Sequence, residues 1–260
     1  MSGIDVSILW PAFVAGLLVT ATHVPLGAQV LARGIVFIDL AIAQIAGLGV
    51  VLADSAGVEA HGWEVQVYAL AAALAGALLL TWTEKHWPEV QEAVIGATFV
   101  LAASAALLLL SSNPHGGEHL RELLIGQILW VSPRVLGIVA IVYAVALAAW
   151  FAWNARLGRV AFYVVFAAVV TISVQLVGLY LVFTTLIVPA LATRRMKEQK
   201  LAWAYAIGAA GYALGLALSA LTDWPSGPAI VWAMTAVALG LAAAHRFAVR
   251  EPAATRVGSE

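Results

Sequence analysis

The longest uncharged stretch of this chain covers residues 160–193 and reads VAFYVVFAAVVTISVQLVGLYLVFTTLIVPALAT. One straight helix of these 34 residues would extend roughly 20 Å beyond the hydrocarbon core of a bilayer, because an α-helix rises about 1.5 Å per residue. The stretch therefore predicts two membrane segments. We place the break at Gln175-Leu-Val-Gly178, with Pro189 as a second interruption, and expect the later segment to be short or partly re-entrant.

The composition of the whole chain supports a membrane protein. Hydrophobic residues make up 63% of its 260 residues and charged residues only 10%, whereas soluble domains average about 45–50% and about 25%. The mean hydropathy is +0.97. The net charge of -1 provides no basic field for nucleic acid. The absence of cysteine excludes disulfides and thiolate metal sites.

The distribution of charges predicts eight or nine transmembrane helices in one membrane domain spanning residues 1–260, with a cytoplasmic tail at 246–260. Most uncharged stretches approach the roughly 20 residues that a spanning helix needs, and the second does so only if Asp39 lies inside the span. No stretch shows the alternation of a membrane β-barrel. The uncharged stretches are 6–32, 40–53, 65–83, 93–117, 135–155, 160–193, 201–222 and 224–244.

The basic residues predict the orientation of the chain. With the N-terminus outside, eleven of the 13 Lys and Arg residues fall in cytoplasmic loops or the tail, and only Arg121 and Arg134 lie outside. This is the asymmetry of the positive-inside rule. We therefore expect the C-terminal tail in the cytoplasm.

Asp39 is the one charged residue that the pattern places inside a span. A carboxylate at bilayer depth costs a few kcal/mol, so such residues commonly serve function. The alternative is that Asp39, six residues after Arg33, pairs with that arginine or reaches the membrane interface. The chain has no G-x-x-x-x-G-K-[ST] loop and so no P-loop for ATP. A pore subunit energised by a partner fits this better than proton coupling through one carboxylate.

His23 and Gln44 are the other polar candidates in the first two helices. Counted at about 1.5 Å per residue from Arg33, they reach the same depth in an antiparallel hairpin, with Asp39 below Gln44. Imidazole, carboxylate and amide oxygen are together suited to a divalent transition metal. The alternative for His23 is a hydrogen bond to a helix carbonyl near Pro25.

The segment 113–119 carries His115, Glu118 and His119 in a loop that the topology places outside. The spacing matches H-x-x-E-H, but Pro114 and the two glycines at 116–117 describe a turn rather than the helix of a zinc protease. We expect metal capture at the outer mouth, with help from His61, or an ordinary polar loop.

Several short motifs follow one another along nearly the whole chain. They are PLG at 25–27, RGIVFID at 33–39, EAVIG at 92–96, LIGQILWVS at 124–132, VGLYLVFTTLIVPA at 177–190, ATRR at 192–195 and DWPSGPA at 223–229. In this order and spacing, the motifs resemble the integral-membrane permease subunit of bacterial zinc, manganese and iron ABC importers.

The resemblance implies an all-helical subunit of the bacterial inner membrane that works as a homodimer. Separate P-loop ATPase subunits would dock on its cytoplasmic face, and a periplasmic or extracellular metal-binding protein would deliver the ion. The chain itself would then not be an enzyme and would hold no permanent cofactor; zinc, manganese or iron would be cargo, with zinc expected.

Two positions depart from the pattern of the family. Its members carry Asp-x-x-x-His on the second helix, whereas Ala43 stands at the histidine position here, so we expect His23 to replace that ligand. The cytoplasmic loop that docks on the ATPase is shortened to 154–159. The ATPase contact is therefore expected at four basic residues: Arg156, Arg159, Arg194 and Arg195.

Two other functions remain open from the sequence. One is a self-sufficient secondary transporter or channel that uses Asp39. The other is an intramembrane metal-dependent enzyme built on the His115 and His119 loop.

Overall fold

The computed structural model describes residues 6–58, 63–110, 128–153, 159–196 and 198–250. Over these ranges the chain forms nine α-helices and no β-strand. Short 3₁₀ turns at Pro88–Val90 and Ile128–Trp130 precede the fourth and fifth helices. The helices are α1 Val6–Arg33, α2 Ile38–Ser55, α3 Trp63–His86, α4 Gln91–Leu110, α5 Pro133–Trp153, α6 Arg159–Val177, α7 Leu179–Thr193, α8 Lys200–Thr222 and α9 Ser226–Arg250.

The number and length of the helices confirm the predicted fold class. Eight of the described helices are long and apolar enough to cross a membrane, and α7 is a shorter apolar helix of 15 residues. Asp39 lies inside α2, as the span count required. The motif segment 124–132 is described only from residue 128 onward.

The long uncharged stretch divides at Gly178, as predicted. Gly178 has a φ of +87°, a backbone conformation that glycine adopts without the steric cost of a side chain. Its N–H still donates to the Val174 carbonyl at 2.8 Å, so the break leaves this backbone donor paired. Pro189 lies inside α7, and the second interruption expected there does not occur.

The short helix α7 occupies the centre of the bundle. It packs against α1, α6, α8 and α9, and most of its side chains are buried. The neighbouring α6 packs against α2 and α3. The most apolar stretch therefore forms the interior, which agrees with its lack of any charged residue.

Glycines allow the helices around α7 to approach closely. A Cβ on Gly27 of α1 would collide with the backbone carbonyl of Leu186 in α7. Gly16 faces Tyr212, and Thr20 faces Gly208, so α1 and α8 run antiparallel. Small residues at helix crossings are typical of membrane bundles, where close backbone packing drives association.

Candidate cation path

His23 lies on α1 and is fully buried. Its Nδ1 lies 3.0 Å from the Val19 carbonyl oxygen and 3.1 Å from the Thr22 hydroxyl. A carbonyl only accepts hydrogen bonds, so Nδ1 carries the proton and the Nε2 of a neutral ring has a free lone pair. Nε2 is buried and has no hydrogen-bond partner in the described part of the chain. The expected carbonyl bond is present, and it leaves a nitrogen available as a metal ligand.

Pro25 shapes the helix next to His23. Proline has no N–H, so the carbonyl of Ala21, four residues earlier, loses its usual helical partner. The hydroxyl of Tyr205 on α8 donates to that carbonyl at 3.3 Å. This bond helps to hold the α1 segment that carries His23 against α8.

Asp39 stands in the first turn of α2 and is also fully buried. Neither carboxylate oxygen has a hydrogen-bond partner among the described residues. The partly positive N-terminus of the helix favours a negative charge at this position. Burying a charge without a partner costs several kcal/mol of folding free energy. Carboxylates inside membrane segments carry a similar cost and are usually retained for function.

Arg33 does not pair with Asp39. Its guanidinium lies 3.8 Å from a carboxylate oxygen of Glu84 on α3 and 4.2 Å from the centroid of the Phe162 ring on α6. The alternative proposed from the sequence, an Arg33–Asp39 pair, is therefore wrong. Arg33, the last residue of α1, instead contacts α3 and α6.

The first two helices are not a packed hairpin. Within the described residues, α1 packs along α5, α7 and α8, whereas α2 packs along α3, α4 and α6. Helix α6 contacts both, and so does α7. His23 and Asp39 thus lie on helices that are joined through α6 and α7.

The turn at 34–37 also changes the depth comparison. It ends α1 at Arg33, and α2 begins only at Ile38. Counted along its own helix, Gln44 lies about 9 Å from the start of α2, whereas His23 lies about 15 Å from the end of α1. A rise of about 1.5 Å per residue does not apply through the non-helical turn, so the predicted equal depth loses its basis, and Gln44 is only half-buried.

Thr171 on α6 is a candidate that the sequence did not reveal. It is buried, and its hydroxyl has no hydrogen-bond partner in the described ranges. Counted from the start of α6, it lies about 18 Å into the helix, close to the depth of His23. Other buried hydroxyls bond back to a carbonyl three or four residues earlier: Thr20, Thr22, Thr81, Thr83, Ser173, Thr185 and Thr193.

The described residues hold no cluster of three or more His, Cys, Asp or Glu side chains close enough to bind a metal ion. Ala43, at the histidine position of the family motif, is buried in α2. His23, Asp39 and Thr171 thus provide single donors on three helices.

Other predicted contact residues fall in different parts of the chain. His61, His115, Glu118, His119 and Arg156 lie outside the described residues. Arg159 begins α6.

Arg194 and Arg195 follow the end of α7 and are exposed. They line a cavity of about 320 Å³ together with Met196, the Thr235 side chain of α9 and apolar residues of α7 and α9, among them Leu191 and Ala238. The start of α8 at Lys200 is at the same end of the bundle as Arg33, because α1 and α8 run antiparallel.

Comparison with known proteins identifies the family. The model of the ABC 3 transport family matches residues 5–158 and 152–245 of this chain. The fold is similar to PsaBC from Streptococcus pneumoniae in complex with Fab, with a TM-score of 0.71, 20% identity and 90% of each chain covered. It is also similar to an inward-facing conformation of a metal-chelate type ABC transporter, with a TM-score of 0.64 and 14% identity over 92% of this chain and 84% of that one.

At these identities the two structures support the fold, and the family model carries the assignment. Its matches cover nearly the whole sequence. The resemblance inferred from the ordered motifs is confirmed: this chain belongs to the ABC 3 transport family.

Proposed function

We propose that the chain is the membrane-spanning subunit of an ATP-driven importer of divalent transition-metal ions, with zinc as the cargo. The family and the similar fold of a metal-chelate type transporter support the general class. The proposal of a metal cargo depends on one observation in this chain. His23 Nε2 and both oxygens of Asp39 are fully buried donor atoms without partners in the described residues.

The chemistry of these donors suits a borderline metal ion. Neutral imidazole nitrogen binds zinc and its neighbours, whereas carboxylate oxygen alone favours harder ions such as magnesium or calcium. The Nδ1–H bond to Val19 fixes the ring so that Nε2 is the free nitrogen, as ligating histidines generally require. Gln44 and the Thr171 hydroxyl add neutral oxygens. A small number of donor atoms spread over separate helices would bind a cation weakly, so that the ion can leave as readily as it enters.

The partners follow from the family. P-loop ATPase subunits supply the energy on the cytoplasmic side, a periplasmic or extracellular metal-binding protein delivers the ion, and two copies of this chain form the permease. His115, Glu118 and His119 would receive the ion at the outer mouth.

Arg156, Arg159, Arg194 and Arg195 are the proposed contacts with the ATPase. Arg194 and Arg195 border a largely apolar cavity at one end of α7. Their exposed guanidiniums suit acidic side chains of a partner, since arginine binds carboxylates in a two-pronged geometry. The orientation inferred from the basic residues puts this end of the bundle in the cytoplasm.

The test is zinc uptake by proteoliposomes that contain this chain together with its ATPase subunits and binding protein. We expect uptake that requires ATP and falls strongly in Asp39→Asn and His23→Ala. Uptake by the isolated chain under an ion gradient, without ATP, would instead support the secondary transporter or channel. ATP-dependent uptake that both variants leave unchanged would remove the cation path but not the importer class.

A further inference from the structure

Arg33 connects three helices at one end of the bundle. It is the last residue of α1, it forms an ion pair with Glu84 near the end of α3, and its guanidinium lies over the ring of Phe162 in the first turns of α6. Both members of the ion pair are largely shielded, with 27% and 15% of their side chains exposed. Shielded pairs and cation–π contacts are stronger than exposed ones because water screens them less.

The Phe162 ring under Arg33 lies where the end of α5 meets the start of α6. We call these two helix ends, with Trp150, Phe162, Tyr163 and Phe166, the α5–α6 corner. Phe162 is fully buried, and its centroid lies 5.9 Å from the ring of Trp150, three residues before the end of α5. Tyr163 and Phe166 pack on Phe162 at 5.5 and 5.6 Å. Arg33 thus rests on an aromatic cluster from the two helices that flank residues 154–158.

The turn after Arg33 is attached on its other side to α4 and α7. The backbone N–H of Phe37 donates to a carboxylate oxygen of Glu92 at 3.3 Å. The Phe37 ring is stacked with Phe183, with centroids 6.3 Å apart and planes 4° from parallel. Asp39 follows two residues later. The turn that precedes Asp39 is therefore tied to α3 and α6 at one end and to α4 and α7 at the other.

We propose that Arg33 is a positioning residue that couples the α5–α6 corner to the turn that precedes Asp39. The inference rests on the proposed function, in which ATPase subunits act on the cytoplasmic loops. A displacement of the α5–α6 corner moves the Phe162 ring, and Arg33 must then follow it or lose its contact. Because Arg33 continues directly into the 34–37 turn, its movement changes the position of the Asp39 carboxylate in the cation path.

The chemistry of arginine suits this position. The planar guanidinium can lie over an aromatic ring and form an ion pair with a carboxylate at the same time. A lysine at position 33 would keep the charge for Glu84, but its compact ammonium would not cover the Phe162 face in the same way. Leucine at position 162 would keep much of the apolar volume and remove the aromatic face.

The experiment measures the number of zinc ions transported per ATP hydrolysed. It uses proteoliposomes that contain the full chain, its ATPase subunits and its binding protein, with zinc chloride as the only metal. In Arg33→Gln we expect this ratio to fall by at least about fivefold, the low end of typical coupling between sites, while ATP hydrolysis and assembly with the ATPase persist. Arg33→Lys and Phe162→Leu should give smaller losses.

Lys85→Gln is the matched control. Lys85 is an exposed cation at the same end of the bundle, next to Glu84, and its neutralisation should leave the ratio unchanged. In a double-mutant cycle, Arg33→Lys and Phe162→Leu together should cost no more than the larger single loss, because both remove one contact.

The outcomes separate the two proposals. A wild-type complex without ATP-dependent zinc uptake would overturn the proposed function. If the wild-type complex couples zinc transport to ATP hydrolysis, and Arg33→Lys and Phe162→Leu transport as many zinc ions per ATP as the wild type, the role of Arg33 is overturned. This holds even if Arg33→Gln fails to fold. Strictly additive losses in the double mutant would also contradict it.

Discussion

Gly27 of α1 lies directly against the backbone carbonyl of Leu186 in α7, with no room for a side chain between the two helices. The contact joins the long first helix to the central short helix. It also gives a physical reason for the glycine in the PLG motif at 25–27, which the sequence alone shows only as a pattern.

Gly27→Ala should therefore destabilise the fold. The new methyl group meets backbone rather than a movable side chain, so α1 and α7 must separate. We expect a loss of about 1–3 kcal/mol or more in the free energy of unfolding, as for overpacked cores. Thermal unfolding in detergent, followed by tryptophan fluorescence, measures it. Gly137→Ala in α5, where a Cβ meets no atom within 4 Å, is the control and should be neutral or slightly stabilising. Equal stability of the two variants would contradict the packing argument.

Removal of the His23 imidazole should impair transport without preventing folding. Among the described residues the ring bonds only to Val19 and Thr22, both on its own helix. His23→Ala therefore removes a free donor atom but no hydrogen bond between described helices. We expect zinc uptake to fall by about tenfold or more, the range seen when a group that supports metal binding is lost. His86→Ala is the control, because His86 makes the same type of bond, to Trp82, but is exposed. Normal uptake in His23→Ala would leave Asp39 alone in the path.

Asp39→Asn keeps the size of the side chain and removes its charge. Because the carboxylate has no partner in the described residues, we expect the thermal midpoint to stay the same or rise, while zinc uptake is lost. Asp223→Asn, at the exposed end of α8, is the control for loss of a carboxylate outside the helix interior. A large drop in the thermal midpoint of Asp39→Asn would show that Asp39 has a structural role instead.

Thr171→Val and Thr185→Val offer a direct comparison of two buried threonines. The Thr185 hydroxyl bonds to the Leu181 carbonyl at 2.7 Å and to Tyr212 at 3.0 Å, so its loss should cost about 1 kcal/mol or more. The Thr171 hydroxyl makes no such bond to any residue that the structure describes, so valine should be neutral or slightly stabilising there. Denaturation in detergent checks the stabilities. If Thr171 lines the path, its valine variant should reduce zinc uptake although the fold is unharmed.

The orientation of the chain is tested by reporter fusions. A phosphatase reporter, active only outside the cytoplasm, should be inactive when fused after Glu260 and active when inserted near His115. The reason is the eleven-to-two division of basic residues. The same result at both positions would reject the topology and the assignment of Arg194 and Arg195 to the ATPase side.

The sequence by itself determined the membrane class, the helices and the main break in the long stretch. These features depend on local chemistry: an uncharged run must be long enough to cross the bilayer, and a glycine at position 178 permits a φ of +87°. The ordered motifs likewise indicated the family, because motif order is contained in the sequence. Buried polar residues such as His23 and Asp39 could be nominated as candidates because polar groups are rare in apolar spans.

Only the tertiary structure decided which groups meet. Charge and spacing suggested an ion pair between Asp39 and Arg33. In the structure Arg33 pairs with Glu84 and lies over Phe162, which are 51 and 129 positions away along the chain. Thr171 is a second example. Threonines in helices normally bond to a carbonyl of their own helix, so the sequence could not show that the Thr171 hydroxyl has no partner among the described residues. The helices α1 and α2 are adjacent in the chain but pack on different neighbours. Apolar length selects a spanning helix, but it does not select the face or the neighbour, since these depend on where small side chains on distant helices let backbones approach.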